Sequence, residues 1–145
     1  MSQYIKFNFN YNNKLICPSY TTIRLRDDAR YKVGESYDIY FQLRDGINEN
    51  YLGKAIIRDI RHFKLNELNV FMSHIDMGLH PIDGKKELLT MYEDQVSNWA
   101  SQELSYILLE NQEAGIRSVI PDRIRLKNPS VNLFNTVPFG YEIAK

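Results

Sequence analysis

Apolar and polar residues alternate along the first third of the chain. Ile5, Phe7 and Phe9 alternate with Tyr4, Lys6 and Asn8, the pattern of a half-buried strand. Asparagines around Tyr11 then make a polar turn, and Pro18 excludes a regular helix there. Thr21, Ile23 and Leu25 form one face of a second strand, with Thr22, Arg24 and Arg26 on the other. A charged loop at 27–30 and the turn Val33-Gly34-Glu35 lead to a third strand, whose apolar face is Tyr37, Ile39, Phe41 and Leu43. Residues 51–63, containing Ala55, Ile56, Ile57 and Ile60, read as a long fourth strand. The period then lengthens. Leu65, Leu68, Met72 and Ile75 predict a helix from Asn66 to a stop at Gly78. A second helix follows Pro81, with Asp83 as its cap and Leu89, Tyr92, Val96 and Trp99 as its buried stripe. Residues 104–109 fit a helix end or a closing strand equally well by pattern alone. Beyond 113, Ile124 and Leu126 alternate with Arg123, Arg125 and Lys127, which predicts a basic strand. The fold class expected is α+β: a small curled sheet with two helices over one opening.

The chain has 145 residues, 43% hydrophobic and 25% charged, enough to bury one core. No apolar run reaches membrane-spanning length, and the first residues already read as a strand rather than a signal peptide. The single cysteine, Cys17, excludes an internal disulfide, and His62, His74 and His80 lack metal-ligand spacing. Phosphate-loop and dinucleotide glycine motifs are absent, so no cofactor or metal is expected. Zero net charge conceals three blocks. Residues 1–64 carry 11 Lys/Arg and 7 acids, residues 65–113 carry 2 and 9, and residues 114–145 carry 5 and 2. Such asymmetry reads either as a basic surface for a partner or as basic strands beside solvated acidic helices bearing Glu87, Glu93 and Asp94.

The stretch Pro18-Ser19-Tyr20-Thr21-Thr22-Ile23-Arg24, followed by Tyr31-Lys32-Val33-Gly34-Glu35, resembles the signature of ASCH domains, members of the PUA-like superfamily. Lys54-Ala55-Ile56-Ile57 before a loop and helix, and Tyr106-Ile107-Leu108-Leu109-Glu110 in place of the last strand, extend the resemblance over about residues 4–112. It implies a small PUA-like barrel at 1–112, with 113–145 as a C-terminal extension packed on it, and it makes 104–109 a strand. Some members of that family are amidohydrolases acting on N4-acylated cytidine through a lysine, a threonine and a glutamate. Here Thr22 falls on the threonine, Arg24 on the signature arginine and Asp76 nearest the glutamate. Ser19 occupies the lysine position and Cys17 the glycine position, while Lys14 lies out of register in the preceding turn. The resemblance therefore implies binding of RNA or a nucleotide-like ligand without catalysis. The alternatives are a hydrolase of a modified nucleoside built on Thr22, Arg24 and Asp76, and a protein–protein module.

Candidate binding residues follow from the strand pattern. Thr22, Arg24 and Arg26 point the same way at steps of about 7 Å, a spacing suited to phosphates. The alternative is a solvated face paired with Asp27, Asp28 or Glu35. Arg30 and Lys32 extend the patch. Among Tyr20, Tyr31 and Tyr40, the best stacking candidate is Tyr40, which is out of phase with the apolar face of its strand. Usage rich in Asn, Tyr and Ile suits an AT-rich or phage genome, and the expected setting is the cytoplasm, the host's if phage-encoded.

Overall fold

The computed structural model describes residues 3–43 and 45–112, which make an α+β fold around one curled five-stranded sheet. The strands are β1 (Tyr4–Phe7), β2 (Ser19–Leu25), β3 (Ser36–Gln42), β4 (Glu49–Lys64) and β5 (Glu103–Asn111). Their order in the sheet is β1-β3-β4-β5-β2, with β1 parallel to β3 and every other pairing antiparallel. The long β4 is the spine: β3 pairs with its first half and β5 with its second. Register irregularities on both sides of β4, at Ile39/Tyr40 and at Ile57/Asp59, bend it and help curl the sheet. Alternation works as expected in β1, where Ile5 and Phe7 are buried beside exposed Tyr4 and Lys6. Phe9, expected in the same stripe, falls beyond the strand and is 53% exposed.

Both faces of the sheet are apolar in part. One core cluster includes Ile5, Tyr20, Tyr37, Ile39, Ile57 and Leu109. The second cluster lies under the helices, where Ile23, Phe63, Leu68, Met77, Leu88 and Leu104 meet. Tyr20 and Tyr31, weighed beside Tyr40 as stacking candidates, are buried core residues. Residues 104–109 are in β5, as the resemblance implied.

The helices are α1 (Val70–Met77) and α2 (Pro81–Tyr92). The first starts later than expected, because Leu65–Glu67 forms a 3-10 turn and Asn69 supplies the cap, accepting from the Met72 amide. It stops at Gly78, as expected, in the left-handed conformation at φ 71° that a helix end needs. This shift rotates the buried face: Ser73, Asp76 and Met77 point inward and Ile75 is 54% exposed. In α2 the cap is His80 rather than Asp83, which lies in the first turn, and Pro81 opens the helix. Leu88, not Leu89, is the buried leucine, and the helix ends at Tyr92, so Val96 and Trp99 lie outside it. Among the described residues, no helix is long and apolar enough to cross a membrane. The extension at 113–145 and its expected basic strand lie outside the described residues.

Candidate functional site

The sheet order leaves β1 and β2 as its two edges, although they are consecutive in the chain. Curling brings these edges together. Arg24 of β2 donates from Nη2 to the Lys6 carbonyl of β1 at 2.8 Å, and the rings of Phe7 and Tyr20 meet edge-on at 5.9 Å. The linker between the strands, including a 3-10 segment at Tyr11–Ile16, crosses this seam. A pocket of about 310 Å³ opens there, walled by Phe7, Phe9, Tyr11, Arg24, Leu88 and Tyr92, with Lys14, Thr22 and Asp76 also lining it.

The polar floor comes from residues far apart in sequence. Lys14 and Asp76 are both buried; Lys14 Nζ donates to Asp76 Oδ1 at 3.1 Å and to the Asp76 carbonyl at 3.0 Å. Thr21 donates its hydroxyl to the same carboxylate oxygen at 2.9 Å. A cation belongs at this place for a second reason. The last turn of α1 leaves carbonyls without helical partners, and its end carries partial negative charge. Asn12 Nδ2 serves the carbonyls of His74 and Ile75, and Lys14 that of Asp76, so the 3-10 segment caps α1. Asn12 and Asn13 reach these positions through positive φ values of 59° and 51°, which asparagine tolerates better than most residues. Burial pushes the Lys14 ammonium below the ordinary lysine range; Asp76 opposes this and Arg24 adds to it. The ammonium also lies 5.8 Å from the centre of the Phe7 ring.

Arg24 forms the wall. Its Nε donates to the Thr22 hydroxyl at 3.0 Å, and its guanidinium lies 4.8 Å from the Phe7 ring centre. Among the described residues no carboxylate makes an ion pair with it. At the mouth, Phe9 and Tyr11 pack with ring centroids 4.5 Å apart. Tyr11 donates to Glu87, and burial together with that carboxylate holds its phenol well above the ordinary range. Glu87, read from sequence as part of a solvated face, is thereby a fixed partner of the pocket wall.

The expected row Thr22–Arg24–Arg26 is not brought to one place. Thr22 is buried beneath Arg24, while Arg26 lies just past the end of β2 between Asp28 and Glu103, at 2.9 and 2.6 Å. Two acids within reach make Arg26 an ion-pair residue, with Asp28 among the partners that the alternative reading named. Tyr40 lies elsewhere, on the outer face of the sheet, Arg30 is exposed in the turn after β2 beside the rings of Tyr4 and Tyr31, and Lys32 is exposed in the loop before β3. Sequence reasoning passed over Lys14, whose partner is 62 positions away; its one signal was a lysine inside an otherwise uncharged turn. Among the described residues, no group of three His, Cys, Asp or Glu side chains is placed to hold a metal. Comparison with protein-family models, with curated proteins and with solved structures finds no match to this chain.

Proposed function

We propose that this chain is a PUA-like domain of the ASCH type whose seam pocket takes a single nucleotide-like ligand. The observation that carries this reading is Arg24, a guanidinium without an ion-pair partner among the described residues, in a pocket that the rings of Phe7, Phe9, Tyr11 and Tyr92 also line. Among the cations that line the pocket, Lys14 pairs with Asp76 and Lys6 with Glu49, so Arg24 is the one whose guanidinium is left for a phosphate or another anion. The rings of Phe9 and Tyr11 supply a stacking surface for a base. The pocket volume suits one nucleotide better than a strand. Calorimetric titration with cytidine 5′-monophosphate and with cytidine tests this. The nucleotide should bind more tightly, and Phe9→Ala should weaken both about tenfold, the usual scale for loss of one stacked ring. Equal affinity of Phe9→Ala and parent for the nucleotide would remove the pocket from the reading.

A second reading, hydrolysis of an N4-acylated nucleoside, is favoured by the grouping of Lys14, Thr21 and Asp76. The family lysine is missing at Ser19, but Lys14 brings an amine to the carboxylate from a different position. A desolvated lysine is a candidate nucleophile or base, and an adjacent carboxylate and hydroxyl supply a path for the proton. Release of acetate from N4-acetylcytidine decides between the two. Turnover abolished by Lys14→Arg, which keeps the ion pair, would make the site catalytic; ligand binding without acetate release keeps it a binding site.

A further inference from the structure

The outer face of β1, β3 and β4 carries a row of tyrosines. Tyr40 is paired in register with Lys6 on one side and with Tyr51 on the other. The ring centroids of Tyr4 and Tyr40 are 6.4 Å apart, and those of Tyr40 and Tyr51 are 5.4 Å apart. Tyr4 and Tyr51 are 45% and 46% exposed, and none of the three belongs to either core cluster. The face is also supplied with cations. The Arg30 guanidinium lies 5.3 Å from the centre of the Tyr4 ring and donates to the Tyr4 carbonyl, and the Lys6 ammonium lies 5.5 Å from the same ring. The acids nearby are already matched. Asp38 accepts from the Tyr51 hydroxyl and from Lys54 at 3.0 and 2.8 Å, and Glu49 pairs with Lys6 at 2.5 Å. Arg30 makes no ion pair among the described residues, Asp27 reaching only its backbone amide, and its guanidinium is the surplus charge on this face.

We infer that this tyrosine row binds single-stranded nucleic acid, with bases stacked on Tyr4, Tyr40 and Tyr51 and a phosphate held by Arg30. Rings displayed across adjacent strands of a sheet are accessible to splayed bases, whose faces a duplex keeps covered. The surplus guanidinium favours an anionic partner over a neutral or basic one, and the row of rings favours stacked bases over the carboxylates of an acidic protein. The proposal does not rest on the seam pocket, which opens between β1 and β2 and contains none of these three rings.

Fluorescence anisotropy of a labelled single-stranded oligouridylate at two salt concentrations tests it. The parent should bind, and Tyr4→Ala with Tyr51→Ala should weaken binding at least tenfold, whereas Tyr4→Phe should change it little. Arg30→Glu, an exposed change, should weaken binding and reduce the log–log salt slope by about one unit. Phe9→Ala and saturating cytidine 5′-monophosphate should leave the oligonucleotide bound. Absence of binding by the parent would overturn the inference, as would displacement by the mononucleotide or parent-like binding by Arg30→Glu. If the double tyrosine variant does not fold, Arg30→Glu and the competition decide the matter alone.

Discussion

Lys14 and Asp76 show how a single pair serves the fold and the site together. Each would be costly alone in the interior; Lys14 is satisfied by the Asp76 carboxylate and by a carbonyl at the end of α1, and Asp76 by Lys14 and the Thr21 hydroxyl. Lys14→Met should therefore cost about 3–5 kcal/mol, because it leaves the carboxylate buried without its cation. Adding Asp76→Leu should regain most of that loss. Denaturant midpoints measure both, and a neutral single variant would show that the pair contributes nothing. None of this was legible in the local sequence. A lysine between asparagines and a leucine reads as a turn residue, and only contact with α1 makes it a buried one. Arg26 failed in the opposite sense. It was read as the end of a strand row, but it lies just past β2, and Glu103 faces it from a segment 77 residues away.

At the scale of elements, the strands were the legible part, since their two-residue alternation is a local property. The helices were legible in kind but not in phase, because caps at Asn69 and His80 decide where each helix begins. The contact between the helices was not visible at all. Gly84 lies inside α2, where glycine costs about 1 kcal/mol relative to alanine. A methyl group there would meet Ser73 Oγ at 2.4 Å and Met77 Cε at 3.1 Å. Ser73 cannot easily withdraw, since its hydroxyl donates to the Leu79 carbonyl at 2.6 Å. Close approach of α1 and α2 therefore outweighs helix propensity. Gly84→Ala should destabilise the protein by roughly 1–3 kcal/mol, the usual cost of overpacking. A rise in melting temperature would show that the helices have room to separate.

For the whole molecule, stability should fail at alkaline pH. Burial is the first cause holding the phenols of Tyr11, Tyr20 and Tyr92 above the ordinary tyrosine value of about 10. Below that pH both folded and unfolded chains keep these protons, and stability is unaffected. Above it the unfolded chain releases them and the folded one does not, so each withheld proton removes up to about 1.4 kcal/mol per pH unit. Lys14, with its value lowered in the fold, acts in the opposite direction, but only up to the ordinary lysine value of 10.5. Melting temperature should thus fall beyond about pH 10.5, with phenolate absorbance rising in the same transition as unfolding. Phenolate appearing before unfolding would mean that these hydroxyls are accessible. The sheet order has a different consequence, in time rather than in space. β2 leaves the ribosome early but among the described residues pairs only with β5, so that Arg24 waits for Ser105. Closing so long a loop comes late in folding. A nascent chain therefore exposes Ile23 and its neighbours as an unpaired edge until β5 emerges, and a product truncated before β5 has no seam at which a ligand could bind.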